Sequence, residues 1–211
     1  MQRTLLLATS NPGKAAEFQR LLGKAVRFLS LDEVNVDMPD ETGETFQENA
    51  ELKATSVATQ SGMITVADDS GLAVDALQGK PGVRSARFAG LHASDAENRT
   101  MLLAQMESVA PPDRSARFVC ALSLASPDGK VCTRLGLLEG TIADRERGTF
   151  GFGYDSVFET SDGRTLAELP AATKNAMSHR GKAVDEILPC IERMLSYGDP
   201  SIDGSPPDDP S

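Results

Sequence analysis

The stretch Thr4-Leu-Leu-Leu-Ala-Thr-Ser-Asn-Pro-Gly-Lys14 is an apolar run that passes directly into turn residues. Apolar residues at helical spacing come next in the chain: Ala15, Phe18, Leu21 and Leu22. Asn11 followed by Pro12 suits a helix N-cap with proline at the first helical position. The stretch therefore predicts a strand, a loop and an amphipathic helix in succession, which is a building unit of α/β sheets.

Capping boxes predict where two further helices begin. Thr45-Phe-Gln-Glu48 places a hydroxyl and a carboxylate at the spacing that satisfies the first backbone N–H groups of a helix, and Gly62 ends that helix. Ser94-Asp-Ala-Glu97 repeats the pattern before a helix that closes ahead of Pro111. A last helix is predicted from Ser178 onward, because apolar residues recur there at helical spacing.

Strand patterns lie between these helices. Residues 63–67 read as a short strand that ends at Asp68-Asp-Ser-Gly71, where turn residues begin. Residues 116–125 and 131–142 flank a Pro-Asp-Gly turn, which predicts a long antiparallel hairpin. Some strands are thus separated by helices, and two others are joined by a hairpin. This combination predicts an α/β fold with a mixed sheet.

The composition excludes several classes of protein. The chain has 211 residues, of which 40% are hydrophobic and 25% charged, as in ordinary soluble globular proteins. Its 21 basic and 31 acidic residues give a net charge of −10, which disfavours binding to a nucleic-acid polymer or an anionic membrane. No apolar run approaches the roughly 20 residues of a membrane span, and the first ten residues lack the order of a signal peptide. We therefore expect a cytoplasmic protein.

The ends and the cysteines complete this outline. Residues 199–211 are rich in proline and aspartate and contain no basic residue, so they are expected to form a disordered acidic tail after a single domain over residues 1–198. Cys120, Cys132 and Cys190 are an odd number without metal-binding spacing. They are expected to be buried, reduced thiols rather than a redox or metal site.

The loop from Thr9 to Lys14 is a candidate phosphate site. It offers hydroxyls, an amide side chain, free backbone N–H groups at a helix start and one ammonium group. The spacing of a P-loop is absent, which disfavours a P-loop nucleotide hydrolase. A capped helix without a ligand is the alternative for this loop.

Acidic pairs are the candidates for a metal site. Asp68 and Asp69 follow a predicted strand, a place where ligands of α/β sheets bind, and carboxylate oxygens suit Mg²⁺. Asp40 and Glu41 could add a carboxylate to the same ion. The alternatives are a solvated acidic turn for the first pair and an exposed helix entry for the second.

A third candidate region lies in the last third of the chain. Gly151-Phe-Gly-Tyr-Asp155 would let backbone and rings approach a planar ligand, with a strained turn of packed rings as the alternative. Lys174 and Ser178-His-Arg-Gly181 bring cations to a helix start, where an anionic ligand would compensate them. With only His92 and His179 in the chain, a histidine metal site or a Ser-His-Asp triad is poorly supported.

Taken in order, six motifs resemble the inosine/xanthosine triphosphate pyrophosphatase family, over the chain from about Leu5 to Leu195. The motifs are Thr9-Ser-Asn-Pro-Gly-Lys14, Glu41-Thr-Gly-Glu-Thr-Phe-Gln-Glu-Asn-Ala50, Ala67-Asp-Asp-Ser-Gly-Leu72, Gly79-Lys-Pro-Gly-Val-Arg-Ser-Ala-Arg87, Phe150-Gly-Phe-Gly-Tyr-Asp155 and Ser178-His-Arg-Gly181. Two positions depart from the pattern: Ser156 stands where proline is common, and residues 171–173 are not acidic. Both departures concern loop rigidity rather than chemistry.

The resemblance implies an elongated mixed sheet flanked by helices, in two lobes with a nucleotide cleft between them, usually as a homodimer. It implies Asp69 as catalytic base and Mg²⁺ ligand, Glu41 or Asp40 as the second ligand, and Asp68 as a further carboxylate near the metal. Lys53 is a candidate for contact with phosphate or with the ligands. The implied substrate contacts are Thr9, Ser10, Asn11, Pro12, Gly13, Lys14, Ser70, Phe152, Gly153, Tyr154, Asp155, Lys174, His179 and Arg180.

The function that follows from the resemblance is hydrolysis of non-standard purine nucleotides (ITP, dITP and XTP) to the monophosphate and pyrophosphate, which removes them from the nucleotide pool. Two rivals stay open. An aspartyl-phosphate phosphatase would also place acids after a strand, although Asp68 and Asp69 lack the Asp-x-Asp spacing. A nucleotide sensor without catalysis would keep the pocket, but it has no need of a base that activates water.

Overall fold

The computed structural model describes residues 3–23 and 26–197. The strands in these ranges are β1 (Arg3–Ala8), β2 (Val26–Leu29), β3 (Thr65–Val74), β4 (Ser115–Ala125), β5 (Val131–Ile142) and β6 (Phe158–Glu159). The helices are α1 (Pro12–Leu22), α2 (Leu31–Val34), α3 (Phe46–Ser61), α4 (Asp95–Met106), α5 (Ala171–Met177) and α6 (His179–Tyr197). Short 3₁₀ turns lie at Asp75–Leu77, Gly82–Arg87, Pro111–Asp113 and Leu166–Glu168.

The strands form one mixed sheet in the order β2-β1-β3-β4-β5-β6. β1 is parallel to both β2 and β3, whereas β3, β4, β5 and β6 pair antiparallel in turn. The predicted α/β fold with a mixed sheet flanked by helices is therefore confirmed, including the long hairpin of β4 and β5.

The predicted helix starts are confirmed by their capping geometry. In α3 the Thr45 hydroxyl accepts from the backbone N–H of Glu48, whose carboxylate accepts from the N–H of Thr45. Gly62 then ends this helix in the left-handed conformation, with φ 68°. Ser94 and Glu97 make the same reciprocal pair before α4. These caps depend on residues three apart, which is why the sequence predicts them.

The prediction that a strand ends at Ala67 is wrong, because β3 continues through Asp68 and Asp69 to Val74. The antiparallel ladder with β4 runs along all of β3, and it holds the extended backbone despite the turn-like composition. β1, on the other side, stops pairing at Ala67, because β1 itself ends at Ala8. Beyond that point no described strand pairs with this edge of β3, and residues 80–85 bond to it at Leu72, Ala73 and Val74 instead.

The apolar packing changes along β3. Val66 belongs to a cluster with α1 and α6, and Ala67 to one with α3. Leu72 belongs to a separate cluster that includes Phe118 and Phe158. Residues 68–71 between these clusters are polar or glycine. β3 thus runs from the two clusters at Val66 and Ala67, which form one packed region, to the cluster at Leu72, which forms the other, in agreement with the predicted two lobes.

The expectation of three reduced thiols is wrong for two of them. Cys132 on β5 and Cys190 on α6 form a disulfide, although they are 58 residues apart in sequence. Packing of α6 on β5 brings their Cα atoms to 6.4 Å, a proximity that no local pattern encodes. Cys120 is a buried free thiol as predicted, and burial together with nearby Asp68 raises its pKa to about 12.

The predicted domain boundary at residue 198 and the acidic tail 199–211 lie outside the described residues, so both stay predictions. Among the helices that the structure describes, none is long and apolar enough to span a membrane.

Candidate active site

The candidate site is a cleft beside β3, where this strand continues past the end of β1. Its charged end is a cavity of about 210 Å³, and its aromatic end is a cavity of about 80 Å³. The charged end includes Lys14, Glu41, Lys53, Asp68, Asp69 and Arg87. The aromatic end includes Phe118, Phe152, Tyr154, Asp155, His179 and Arg180. Because both ends are lined by Asn11, Lys14, Ser70 and Ala86, they form one continuous cleft.

Volume alone does not identify this site. A larger cavity of about 710 Å³ lies at the turn of the β4–β5 hairpin, beside the Cys132–Cys190 disulfide. Its lining contains cations but a single carboxylate, Asp128, whereas the cleft at β3 brings three carboxylates together with its cations. We therefore place the candidate site by its chemistry, since ligand sites are marked by a few convergent polar groups.

Helix α3 positions Asp69. Asn49 and Lys53 lie one helical turn apart on α3 and both reach this carboxylate. The Asn49 amide donates to Asp69 Oδ2 at 3.2 Å, and Lys53 Nζ contacts Asp69 Oδ1 at 3.4 Å. Burial and the charge of Glu41 raise the pKa of Asp69 above its usual value, although Lys53 and Lys14 oppose the rise.

Glu41 lies beside Asp69 and shares Lys53 with it. Lys53 Nζ donates to Glu41 Oε1 at 2.8 Å, and Arg87 donates to the other oxygen at 3.1 Å. Burial would raise the pKa of Glu41, but Lys53 and Arg87 lower it, so the group is ionised. Asp40 is exposed and outside the lining of the cleft. Of the two predicted alternatives, the structure brings Glu41 to Asp69.

This pair fits Mg²⁺ by the nature of its donors. Among residues 3–23 and 26–197 no three His, Cys, Asp or Glu side chains converge as a metal cage. Mg²⁺ does not need one, since it is commonly bound by one or two carboxylates together with substrate phosphates and water. Glu41 and Asp69, which already share one cation in Lys53, supply two such carboxylates.

Asp68 serves the cations on the opposite face of β3. Its Oδ2 lies 3.0 Å from Lys14 Nζ and 3.9 Å from Arg180 Nε, and it accepts from the Ser70 hydroxyl at 2.8 Å. Burial would raise the pKa of Asp68, but Lys14, Arg180 and Lys53 lower it to about 2. Because neighbouring side chains on a strand point to opposite faces, Asp68 lies apart from Asp69 and fixes Lys14 instead.

The first loop uses its own backbone donors. Asn11 Oδ1 accepts from the N–H groups of Gly13 and Lys14 at 2.9 and 3.1 Å, and Thr9 Oγ1 accepts from the N–H of Asn11. The expectation of free N–H groups at this helix start is therefore wrong for these residues, since the N-cap occupies them. Lys14 and the hydroxyls of Thr9 and Ser10 line the cleft and remain the groups that could meet phosphate.

The start of α1 also packs against the aromatic end. Pro12 is the first residue of this helix, and Gly13 follows it. A Cβ added to Gly13 would lie 3.0 Å from the Phe152 ring, so only a residue without a side chain lets the ring approach so closely. The predicted phosphate loop (residues 9–14) and the predicted ring-bearing loop (residues 151–155) are thus in contact.

Cations and rings alternate at the aromatic end. Lys174 Nζ lies 5.0 Å from the centre of the Phe152 ring, and the Arg180 guanidinium lies 5.4 Å from it. These are cation–π distances. A second ring contact lies in the same part of the cleft: the His179 ring stacks on the Phe118 ring, with ring centres 4.8 Å apart and an interplanar angle of 9°.

His179 is buried and neutral. Burial, together with Arg180, Lys174 and Lys14, lowers its pKa well below the usual value. Both ring nitrogens lack a hydrogen-bond partner among the described residues, and so do Asp68 Oδ1 and Arg180 Nε. Buried polar atoms are nearly always paired in folded proteins, so such a group is what a polar ligand would satisfy.

Glu17 on α1 is a residue of the site that no sequence motif singled out. It is 3% exposed and accepts from Lys174 Nζ and from Arg180 Nη1, each at 2.7 Å. Burial would raise its pKa, but Arg180 and Lys174 lower it. Lys174 also donates to Asp155 at 2.7 Å. In the sequence Glu17 is flanked by the apolar residues Ala16 and Phe18 of α1. This position is the one signal in the sequence that could have indicated a buried acid.

Two comparisons with proteins of similar sequence bear on this cleft. The model of the Ham1 family matches residues 5–190 of the chain. A dITP/XTP pyrophosphatase from Geobacter sulfurreducens is 50% identical over 184 residues, which are 85% of this chain and 92% of that protein. A dITP/XTP pyrophosphatase from Streptomyces avermitilis is 47% identical over 198 residues, 90% of this chain and 98% of that protein.

Solved structures agree with the sequence comparison. A HAM1 protein from Coxiella burnetii superposes with a TM-score of 0.83 at 41% identity, covering 91% of this chain and 100% of that one. The nucleoside-triphosphatase / dITP/XTP pyrophosphatase from Mycobacterium abscessus gives a TM-score of 0.73 at 44% identity, covering 88% and 99%. These matches confirm the resemblance carried by the six motifs. The chain therefore belongs to the Ham1 family.

Proposed function

We propose that this protein hydrolyses ITP, dITP and XTP to the nucleoside monophosphate and pyrophosphate, and so removes these nucleotides from the pool. One observation carries the proposal. A single cleft joins a carboxylate pair and cations at one end to rings and unpartnered buried donors at the other. Relatives named dITP/XTP pyrophosphatase, about half identical over nearly their whole length, support the same substrates.

The charged end has a group for each requirement of phosphate hydrolysis. Lys14 and Arg87 line it and would hold the triphosphate, with Lys14 oriented by Asp68. Asp69 would accept the proton of the attacking water, and a raised pKa makes this carboxylate a stronger base than an exposed one. Asn49 holds the other oxygen of Asp69 and so fixes the direction of the free lone pairs.

Mg²⁺ is the proposed cofactor. Asp69 and Glu41 would hold it, and when bound it would neutralise charge on the phosphates. Removal of divalent ions with EDTA is expected to abolish pyrophosphate release, and added Mg²⁺ to restore it. Full activity in EDTA would contradict this assignment.

The aromatic end would select the base. Hypoxanthine and xanthine present an oxygen acceptor at position 6, where adenine presents an amino donor. The Nε of Arg180 and the N–H of His179 are buried donors without a hydrogen-bond partner among the described residues, so an amino group opposite them would leave donors unpaired. Each unpaired buried group costs about 1–3 kcal/mol, so two mismatches reach roughly a thousandfold discrimination.

The decisive experiment measures turnover of ITP, dITP and XTP against ATP, GTP and dTTP with Mg²⁺, and assays pyrophosphate and orthophosphate separately. Pyrophosphate from the first three substrates is the expected result. Orthophosphate would instead indicate a phosphatase. Saturable binding without product would indicate a nucleotide sensor.

Asp69→Asn tests the base directly. It is expected to lower kcat by at least a hundredfold, because general-base catalysis contributes roughly 10²–10⁴-fold. ITP binding and thermal stability should change little, since the amide keeps the shape of the side chain. Asp40→Asn is the matched control, because Asp40 is exposed and outside the cleft lining.

We also propose that the protein acts in the cytoplasm as a homodimer. Leu135 and Leu137 on β5 are 51% and 42% exposed and form an apolar surface that a second copy could cover. Sedimentation equilibrium at micromolar concentration is expected to give twice the mass of the chain. A monomer at all concentrations would contradict the dimer and leave the proposed activity untouched.

A further inference from the structure

Helix α4 binds both backbone polar groups of Gly153, in the ring-bearing loop of residues 151–155. The Asp95 carboxylate accepts from the backbone N–H of Gly153 at 2.7 Å. Arg99, one turn later on the same helix, donates through Nη1 to the Gly153 carbonyl at 2.9 Å. Both backbone groups of Gly153 are therefore bound to charged side chains, which form the stronger class of hydrogen bond.

A second chain of contacts ties the same loop to Arg99. Arg99 Nε donates to Glu146 Oε2 at 2.9 Å, and the Ser156 hydroxyl donates to the same oxygen at 3.0 Å. The loop is thus fixed at Gly153 and again at its two flanks, by Glu146 before it and by Ser156 after it. Ser156, which stands where proline is common, thus contributes a side-chain hydrogen bond to the loop.

The Phe152 ring depends on this arrangement. It precedes Gly153 directly, stacks under Lys174 and Arg180 and lies against Gly13 of α1. On the inner side its backbone bonds to Asp155 alone among the described residues: the Phe152 N–H donates to the Asp155 carboxylate at 2.9 Å, and the Phe152 carbonyl accepts from the Asp155 N–H at 3.2 Å. Any displacement of Gly153 would therefore move the ring that forms one wall of the aromatic end.

Asp95 and Arg99 are not among the residues that α4 buries in the protein. Asn98, Leu102 and Met106 are the buried residues of this helix, and Ser94 caps it. Asp95 is exposed on the protein surface, and the Arg99 side chain is 18% exposed. The two charged residues point instead at the loop, and Asp95 also lines the aromatic end of the cleft.

We propose that Asp95 and Arg99 are positioning residues that act through the Phe152 ring on binding of the purine base. α4 is then the platform that sets the width of the nucleobase end, while the triphosphate end is built on α1, α3 and β3. This inference rests on the proposed function, because it assigns the base of that substrate to the aromatic end.

The first measurement needs no activity. Hydrogen–deuterium exchange of the Arg99→Ala protein should show faster exchange in peptides covering residues 148–156 and unchanged exchange in residues 9–22. Arg145→Ala is the matched control, since Arg145 is 75% exposed in the same region and its close acid is Asp144 at 3.9 Å. Unchanged exchange over residues 148–156 in Arg99→Ala would contradict the proposal that Arg99 holds this loop in place.

The second measurement separates base binding from phosphate binding. Arg99→Ala should raise KM for ITP about tenfold, the loss expected for one charged hydrogen bond, with a smaller change in kcat. Competitive inhibition by inorganic tripolyphosphate, which has no base, should keep its inhibition constant. Asp95→Ala should behave alike, whereas Asp95→Asn retains an acceptor for the Gly153 N–H and should keep KM close to that of the parent.

The third measurement asks whether Arg99 acts through the ring. In a Phe152→Ala background, Arg99→Ala should raise KM for ITP by less than twofold, because residues that act on one another are not additive. An equal increase in both backgrounds, or a parallel loss of tripolyphosphate binding, would overturn the proposal. Absence of ITP turnover in the parent would instead contradict the proposed function, and with it the role of Asp95 and Arg99 in base binding. Hydrogen–deuterium exchange would still decide whether Arg99 holds the loop in place.

Discussion

At the level of single residues, the cleft is supported by buried charged side chains, each of which is paired with a charge of opposite sign. Glu17 and Asp68 are anions and Lys174 and Arg180 cations, and all four are nearly inaccessible to solvent. Burial of an ion costs several kcal/mol unless a partner compensates it. Removal of one member therefore leaves its partner with less compensating charge.

Glu17→Gln tests this balance, because it leaves Lys174 and Arg180 without their shared anion. We expect a loss of about 3 kcal/mol in the free energy of unfolding, as for other buried pairs broken on one side. KM for ITP should also rise. Urea unfolding of the variant measures the first effect, with exposed Glu186→Gln on α6 as control. Equal midpoints for the two variants would show that Glu17 carries no stabilising pair.

His179 should make the stability of the protein depend on pH. Its pKa is lowered in the folded state, so below the ordinary value near 6.5 the unfolded chain binds the proton that the folded chain refuses. Stability is therefore complete above pH 6.5 and decreases as the pH falls below it. The thermal midpoint of the parent should decrease as the pH is lowered from 7.5 to 5.5. His179→Gln should flatten that slope, with a variant of the exposed His92, His92→Gln, as the matched control.

At the level of elements, the approach of α6 to β5 decides where His179 and Arg180 lie. Gly136 makes this approach possible, because a Cβ there would lie 1.9 Å from the His179 carbonyl oxygen and 2.6 Å from the Ala183 nitrogen. The atoms in the way are helix backbone, which cannot rotate aside. The first turn of α6 is thus seated by a glycine on the neighbouring strand.

Gly136→Ala should therefore push α6 outward. We expect a loss of about 2 kcal/mol or more in the free energy of unfolding, in the range of overpacked cores. KM for ITP should rise as well, because His179 and Arg180 would move with the helix. Glu139→Ala on the same strand, with a side chain 71% exposed, is the control and should have little effect. A Gly136→Ala protein with normal stability and KM would mean that α6 can shift without cost.

At the level of the whole molecule, the Cys132–Cys190 disulfide connects β5 to α6, the helix that carries His179 and Arg180. Closing a loop of 58 residues is expected to stabilise the folded state by about 4 kcal/mol through the entropy of the unfolded chain. Reductant should lower the urea midpoint of the parent accordingly. It should have no effect on a Cys132→Ser/Cys190→Ser protein. An unchanged parent, together with alkylation of both thiols without reductant, would show that the two cysteines are reduced, as the sequence had suggested.

The sequence predicts the elements whose signals are local. The capping residues Thr45 and Ser94 mark the starts of α3 and α4, and the Pro-Asp-Gly turn marks the β4–β5 hairpin. The short elements β2, α2, α5 and β6 carry no comparable signal and were not predicted. β3 was predicted too short, because the turn-like composition at Asp68 is outweighed by the ladder with β4.

The site divides in the same way. The sequence by itself determined the α/β class, the caps and the six motifs, because those depend on residues a few positions apart or on a recognisable order along the chain. Only the tertiary structure decided that Glu41 rather than Asp40 meets Asp69, that Asp68 serves Lys14, and that Cys132 pairs with Cys190. It also revealed Glu17, whose contact with Arg180 spans 163 residues of sequence. Ion pairs and disulfides form between whichever groups the packed strands and helices bring within a few ångströms, and no local pattern records that distance.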